Sequence, residues 1–120
     1  MKKFYFLSSC NTCQRILNHL DLDTDFELHD IKKTQIRSEE LEHLKILSGS
    51  FESLFSKRAK LYKKLGLKEK PLEEDDYKNY ILDHYTFLKR PILVLNDKIF
   101  VGNSPKVINS AITALLNEKQ

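Results

Sequence analysis

The chain's only two cysteines, Cys10 and Cys13, stand in "SSCNTC" with two residues between them. A thiol pair at this spacing has four chemical uses. It can cycle between dithiol and disulfide, supply half of a zinc site, accept a lipid, or fill space as two small apolar side chains. Zinc needs two more ligands, and His19, His29, His43 and His84 show no H-x3–5-H spacing. A lipid-attachment signal needs an apolar stretch of about 7–15 residues, and the run before Cys10 covers only Phe4 to Leu7. A redox pair and an inert buried pair both stay open until the elements around them are placed.

Those elements follow from the pattern. Lys3 to Leu7 is a short apolar, aromatic run that reads as a buried strand. Ser8, Ser9 and Asn11 supply turn and cap chemistry, and Cys13, Ile16, Leu17 and Leu20 then recur at helical spacing. Phe26, Leu28 and Asp30–Ile31 suggest a second strand, completing β-α-β. Ser38, with Glu39 and Glu40 behind it, reads as a helix start, and Leu41, Leu44 and Leu47 as its inner side, up to Ser48-Gly49-Ser50. Residues 51–88 show no strand pattern. Phe51, Leu54 and Phe55 suggest one short helix, Leu61 and Leu65 another before Gly66, and Tyr77 with Ile81, Tyr80 and His84 a third beyond Pro71.

The C-terminal part is clearer. "PILVL" (91–95) and "KIFV" (98–101) are joined by Asn96-Asp97, a two-residue hairpin turn. Ser104-Pro105 then gives a cap and a proline for the first helical turn. Val107, Ile108, Ala111, Ile112, Leu115 and Leu116 follow as the apolar face of a last helix. The order β-α-β, helices, β-β-α predicts an α/β, thioredoxin-like fold with a mixed sheet. The domain reading is a single domain over 1–120 with a helical insertion at about 36–88.

This placement gives the cysteines distinct expectations. Cys10 falls where the first strand hands over to the first helix. Unpaired backbone N–H groups and the positive helix end favour a thiolate there. Cys13, one turn on, begins the apolar face. Cys10 is therefore expected to attack, and Cys13 to resolve the mixed disulfide or to store oxidation. A strand that begins with proline would put Pro91 beside this loop, in the cis form, with Arg90 near Cys10 to stabilise a thiolate or bind an oxyanion.

The composition is compatible with such a domain. The 120 residues are 41% hydrophobic and 31% charged with three Gly and three Pro, which argues against disorder. No apolar run approaches the roughly 18 residues needed to span a bilayer, so a protein with no membrane contact is expected, and two cysteines cannot make a disulfide scaffold, so a reducing, cytoplasmic setting is expected. A net charge of +3 does not suggest direct nucleic-acid binding. One local excess, Lys57, Arg58, Lys60, Lys63, Lys64, Lys68 and Lys70 against Glu69, reads as a solvated helical face before the acidic stretch Glu73–Asp76.

Three segments carry a resemblance: Cys10-x-x-Cys13, "FSKRAKLYKKLGL" (55–67) and "LKRPILVLNDKIFVGNSPKVI" (88–108). Together they resemble the ArsC/Spx family of glutaredoxin-coupled arsenate reductases, Spx-type transcriptional regulators and reductase-like relatives. The likeness runs from Lys3 to about Leu116. It implies a thioredoxin-like fold with a helical insertion, Cys10 as the redox cysteine, and Arg90 and Pro91 as the R-P motif that helps hold an oxyanion. Arg58 resembles the arginine of the Spx-type S-x-R segment. With Asn11, these three form the expected anion- or substrate-binding set. The other two oxyanion arginines of arsenate reductases fall on Ser56 and Asn103, and a Cys-x-x-Cys is typical of Spx-type members. The resemblance implies a monomeric thiol–disulfide oxidoreductase, with no bound cofactor or metal and with glutathione/glutaredoxin or thioredoxin as electron donor. Its alternative is an Spx-type redox sensor that binds the C-terminal domain of the RNA polymerase α chain.

Overall fold

The computed structural model describes residues 1–119. In chain order it has β1 (Lys2–Phe6), α1 (Asn11–Leu20), β2 (Glu27–Asp30) and α2 (Ser38–Ser48). There follow α3 (Lys60–Lys64), α4 (Glu74–Asp83), β3 (Ile92–Leu95), β4 (Lys98–Val101) and α5 (Pro105–Glu118). Single 3-10 turns lie at Glu52–Leu54, Leu67–Glu69 and Tyr85–Phe87. The chain forms two compact units, one of residues 1–34 with the chain from Arg90 onward, the other of residues 35–89.

The first unit holds a mixed four-stranded sheet in the order β2-β1-β3-β4. β1 pairs with β2 in parallel, with Phe4 opposite Leu28, and with β3 antiparallel, with Tyr5 opposite Ile92. The β3–β4 hairpin closes between Leu95 and Lys98, and Asn96 takes the positive φ of 58° that a tight turn of this length needs. β1 and β3 are central strands, which is why Phe4, Ile92, Leu93, Val94 and Leu95 are all buried. On one sheet face Phe4, Leu93 and Leu95 pack with Ile16 and Leu20 of α1 and Ala111, Ala114 and Leu115 of α5. α5 starts as its sequence predicts, with the Ser104 hydroxyl accepting from the Val107 N–H at 3.2 Å and Pro105 in the first turn.

The second unit is helical apart from an isolated bridge between Phe55 and Leu88. Its centre is aromatic. Phe55 stacks on Phe87 at 5.3 Å and meets the edge of Tyr77 at 4.9 Å, with Leu41, Leu44, Leu54, Leu67 and Ile81 buried in the same unit.

Three local expectations, at Leu28, Leu65 and Leu116, need correction. Leu28 is 51% exposed, and its neighbour His29 is the buried residue of β2. β2 is an edge strand, so the residue facing the α1 and α5 side lies at the margin of the layer covering it. α2 starts at Ser38, as its sequence predicts, with Arg37 as the cap residue; Glu40 reaches back to accept from the Arg37 N–H at 3.2 Å. The expected helix beyond Pro71 begins at Glu74 and buries Tyr77 and Ile81, with Asp76 accepting from the Glu73 N–H at 2.8 Å. Leu65 is exposed and Leu67 fully buried, because α3 ends at Lys64 and Gly66, at φ 65°, turns the chain inward. Leu116 is exposed, with Ala114 taking the inner position beside Leu115.

Candidate redox site

Cys10 occupies the N-cap position of α1, in extended conformation, and Cys13 lies one turn inside the helix with no exposed surface. Both are free thiols. The loop between β1 and α1 is tight: the Cys10 N–H donates to the Leu7 carbonyl at 3.0 Å, and the Cys10 carbonyl accepts from Gln14 N–H at 3.1 Å. The Gln14 side-chain amide folds back to donate to the Ser8 carbonyl at 3.1 Å. Cys10 is thus held where the unpaired N–H groups of the first helical turn converge.

The electrostatics separate the two thiols. Burial raises the pKa of Cys10, but the Cys13 N–H, the Cys13 thiol, the Thr12 N–H and the Arg90 charge outweigh it and bring the net value below that of an ordinary thiol. Its side chain makes no formal capping bond, so the stabilisation is one of surrounding donors and charge and not of a single contact. Burial is also the largest effect on Cys13. The Cys10 side chain adds to it, a hydrogen bond with the Leu7 backbone and the Arg90 charge oppose it, and the thiol is pushed up to about 11. The first proton to leave therefore leaves Cys10, and the Cys13 thiol donates toward the thiolate that results.

Arg90 and Pro91 reach this loop from the far end of the sequence. The β1–β3 pairing ends at Tyr5 and Ile92, so Arg90 and Pro91 immediately precede β3 at the end of β1 that leads into the cysteine loop, and the Arg90 charge acts on both thiols. The Arg90–Pro91 peptide is cis, as the sequence predicts, and Pro91 is buried. The Pro91 carbonyl accepts from the Gly102 N–H at 2.9 Å. Asn11 is the exposed first residue of α1. The first unit thus carries Cys10, Asn11, Cys13, Arg90 and Pro91, while Arg58 is an exposed residue of the second unit, just before α3. Among the described residues, no group of three or more His, Cys, Asp or Glu side chains is arranged to hold a metal ion. No helix there is long and apolar enough to cross a membrane.

One polar residue at this loop carries no motif in the sequence. Asp30, the last residue of β2, accepts from the Ser8 N–H at 3.5 Å and from the Lys32 N–H at 3.1 Å. Only the parallel pairing of Phe6 with Asp30 brings it beside the loop.

A mixed sheet with a dithiol at the N-terminus of its first helix and a cis-proline before the neighbouring strand defines a thioredoxin-like protein. The fold is the same as that of the arsenate reductase from Vibrio cholerae, at TM-score 0.73 and 24% identity over 92% of this chain and 96% of that one. The chain belongs to the ArsC family, whose model matches residues 5–111. It is 32% identical to the global transcriptional regulator Spx of Streptococcus mutans, over 81% of this chain and 73% of the relative. It is 26% identical to the regulatory protein MgsR of Bacillus subtilis, over 85% and 82%.

Proposed function

We propose that the chain is a thiol–disulfide oxidoreductase of the cytoplasm, with Cys10 as nucleophile and Cys13 as resolving thiol. The observation that carries this reading is the division between the thiols, one with a lowered pKa at a helix end and one buried and pushed up to about 11. The Cys10 thiolate attacks one sulfur of a substrate disulfide. A Cys10–substrate S–S bond forms, the substrate's own S–S bond breaks, and the departing sulfur leaves as a thiolate that solvent protonates. Once Cys10 is in the mixed disulfide it no longer repels a second negative charge, and Cys13 gives up its proton to solvent. Cys13 then attacks Cys10 Sγ and expels the second substrate thiolate. Two electrons have passed to the substrate and the protein holds a Cys10–Cys13 disulfide. A thiol donor must return the pair, and glutathione/glutaredoxin or thioredoxin fits the family resemblance. Arg90, flanked by Pro91 and with Asn11 at the helix start, is the proposed anion-binding side; Arg58, in the second unit, is proposed as an anion-binding residue on its family motif alone.

Mild peroxide tests the pairing. Cys10 should oxidise to the sulfenic acid and condense with Cys13, losing water to give the intramolecular disulfide. Thiol trapping and peptide mass spectrometry should find that crosslink as the main product; two persistently free thiols would remove the resolving role.

A second reading has its own support, since MgsR and Spx are both named as regulators. In it the same pair is a switch that controls binding to the C-terminal domain of the RNA polymerase α chain. Pull-down with that domain separates the two: binding that changes with the oxidation state supports the regulator, and none in either state supports the oxidoreductase.

A further inference from the structure

We infer that Asp30 is a positioning residue for Cys10, clamping the Ser8 turn from β2 so that the Cys10 sulfur is held over the first turn of α1. This rests on the proposed role of Cys10 as nucleophile and extends it to the residue that sets its geometry.

The turn is gripped on two sides. Asp30 Oδ1 accepts from the Ser8 N–H, and the Gln14 amide donates to the Ser8 carbonyl. The Asp30 oxygen is anchored in turn by the Lys32 N–H at 3.1 Å, so it is not free to follow the loop. One residue after Asp30 the Ile31 N–H donates to the Phe6 carbonyl at 2.9 Å, which ties the end of β2 to the end of β1. Between Phe6 and Cys10 the chain therefore has few ways to move. Oδ2 is sealed from solvent with no hydrogen-bond partner among the described residues, an arrangement that costs free energy. Burial raises the Asp30 pKa, but the nearby Ser8 hydroxyl, the Lys32 and Ser8 N–H groups and the Lys33 charge lower it further. The clamp is accordingly ionised at neutral pH, and acidification through its lowered pKa would release it.

An ionised carboxylate near a thiolate has an electrostatic effect of its own, opposite in sign to positioning. Repulsion between like charges would raise the Cys10 pKa, so an effect of charge alone would make removal of the carboxylate lower it. Removing the clamp lets Cys10 drift from the Thr12 and Cys13 N–H groups and raises it. The sign of the change thus distinguishes the two.

The test is the rate of iodoacetamide modification at Cys10, followed by peptide mass spectrometry across the alkaline and neutral range, in wild type, Asp30→Ala, Asp30→Asn and Gln14→Ala. Asp30→Ala should raise the midpoint by about one pH unit and slow modification at neutral pH on the order of tenfold. Asp30→Asn keeps an acceptor without the charge, and its midpoint should lie at or below that of wild type. An Asp30→Ala midpoint that is unchanged or lowered in a folded protein overturns the inference. If Asp30→Ala does not fold, Gln14→Ala decides it, since it releases the other side of Ser8 and should raise the midpoint as well; no rise overturns it. A wild-type midpoint at or above that of an ordinary thiol counts against Cys10 as nucleophile, a different result from any of these.

Discussion

Replacing Cys10 with serine is expected to abolish dithiol–disulfide exchange and to leave the protein almost inert to alkylation at neutral pH. The remaining thiol, Cys13, has no exposed surface and a pKa pushed up to about 11. In the variant the part of that rise owed to the Cys10 side chain is gone, but burial, its largest cause, remains; it disfavours the Cys13 thiolate at pH 7 and keeps the reagent away from it. The serine oxygen is no substitute, since an alkoxide is not accessible at that pH. Cys13→Ser should behave differently. Its hydroxyl can still donate toward the Cys10 sulfur, so alkylation at Cys10 persists, while exchange halts at the mixed disulfide. The measurement is stopped-flow or timed alkylation together with a disulfide-reduction assay. A Cys10→Ser protein that still reacts at neutral pH within a few-fold of wild type would show that the helix-end thiol is not the nucleophile.

A large loss of stability is expected from Phe4→Ala. Phe4 has no exposed surface and lies in a central strand, between Leu28 of β2 and Leu93 of β3. Its ring packs with Ile16 and Leu20 of α1, with Ala111, Ala114 and Leu115 of α5, and stacks on Phe6 at 5.9 Å. Truncation removes the transfer free energy of the ring and leaves a cavity that two strands and two helices cannot close. The cost should be about 3–5 kcal/mol, a large part of the roughly 5–15 kcal/mol that holds a domain of this kind together. Melting should fall by on the order of 10–20 °C. The paired position is the control. Leu28, directly opposite on β2, is half exposed, and Leu28→Ala should cost under about 1 kcal/mol. Equal losses at the two positions, read by denaturant unfolding, would contradict the assignment of β2 as a peripheral strand. The same core sets the function, because Ile16 and Leu20 seat the helix whose first turn faces the Cys10 sulfur.

The contrast between Phe4 and Leu28 shows where sequence reading stops. Both are apolar residues in strand-like runs, and composition and periodicity treat them alike. Their fates differ because β1 has neighbours on both sides and β2 on one, a property of strand order that no local pattern carries. The same holds for Leu65 against Leu67 and for Leu116 against Ala114, where burial is decided by how a turn or helix meets the surface beneath it. Asp30 is the strongest case for the site: an aspartate at a strand end has no signature until parallel pairing brings it beside Ser8, which precedes it by 22 residues.

By itself the sequence determined everything that depends on short-range geometry. It determined the dithiol at a strand-to-helix junction, the Asn96-Asp97 hairpin, the Ser104-Pro105 helix start, and, through its motifs, the family. These are legible because caps, tight turns and Cys-x-x-Cys spacing act over a few residues, where chain order and spatial order coincide. Tertiary structure alone decided which strand lies at the edge, which apolar residues of the short helices face inward and which carboxylate meets the cysteine loop. Each of these depends on groups far apart in the chain, whose meeting is set by strand register and by the exclusion of water from a shared core.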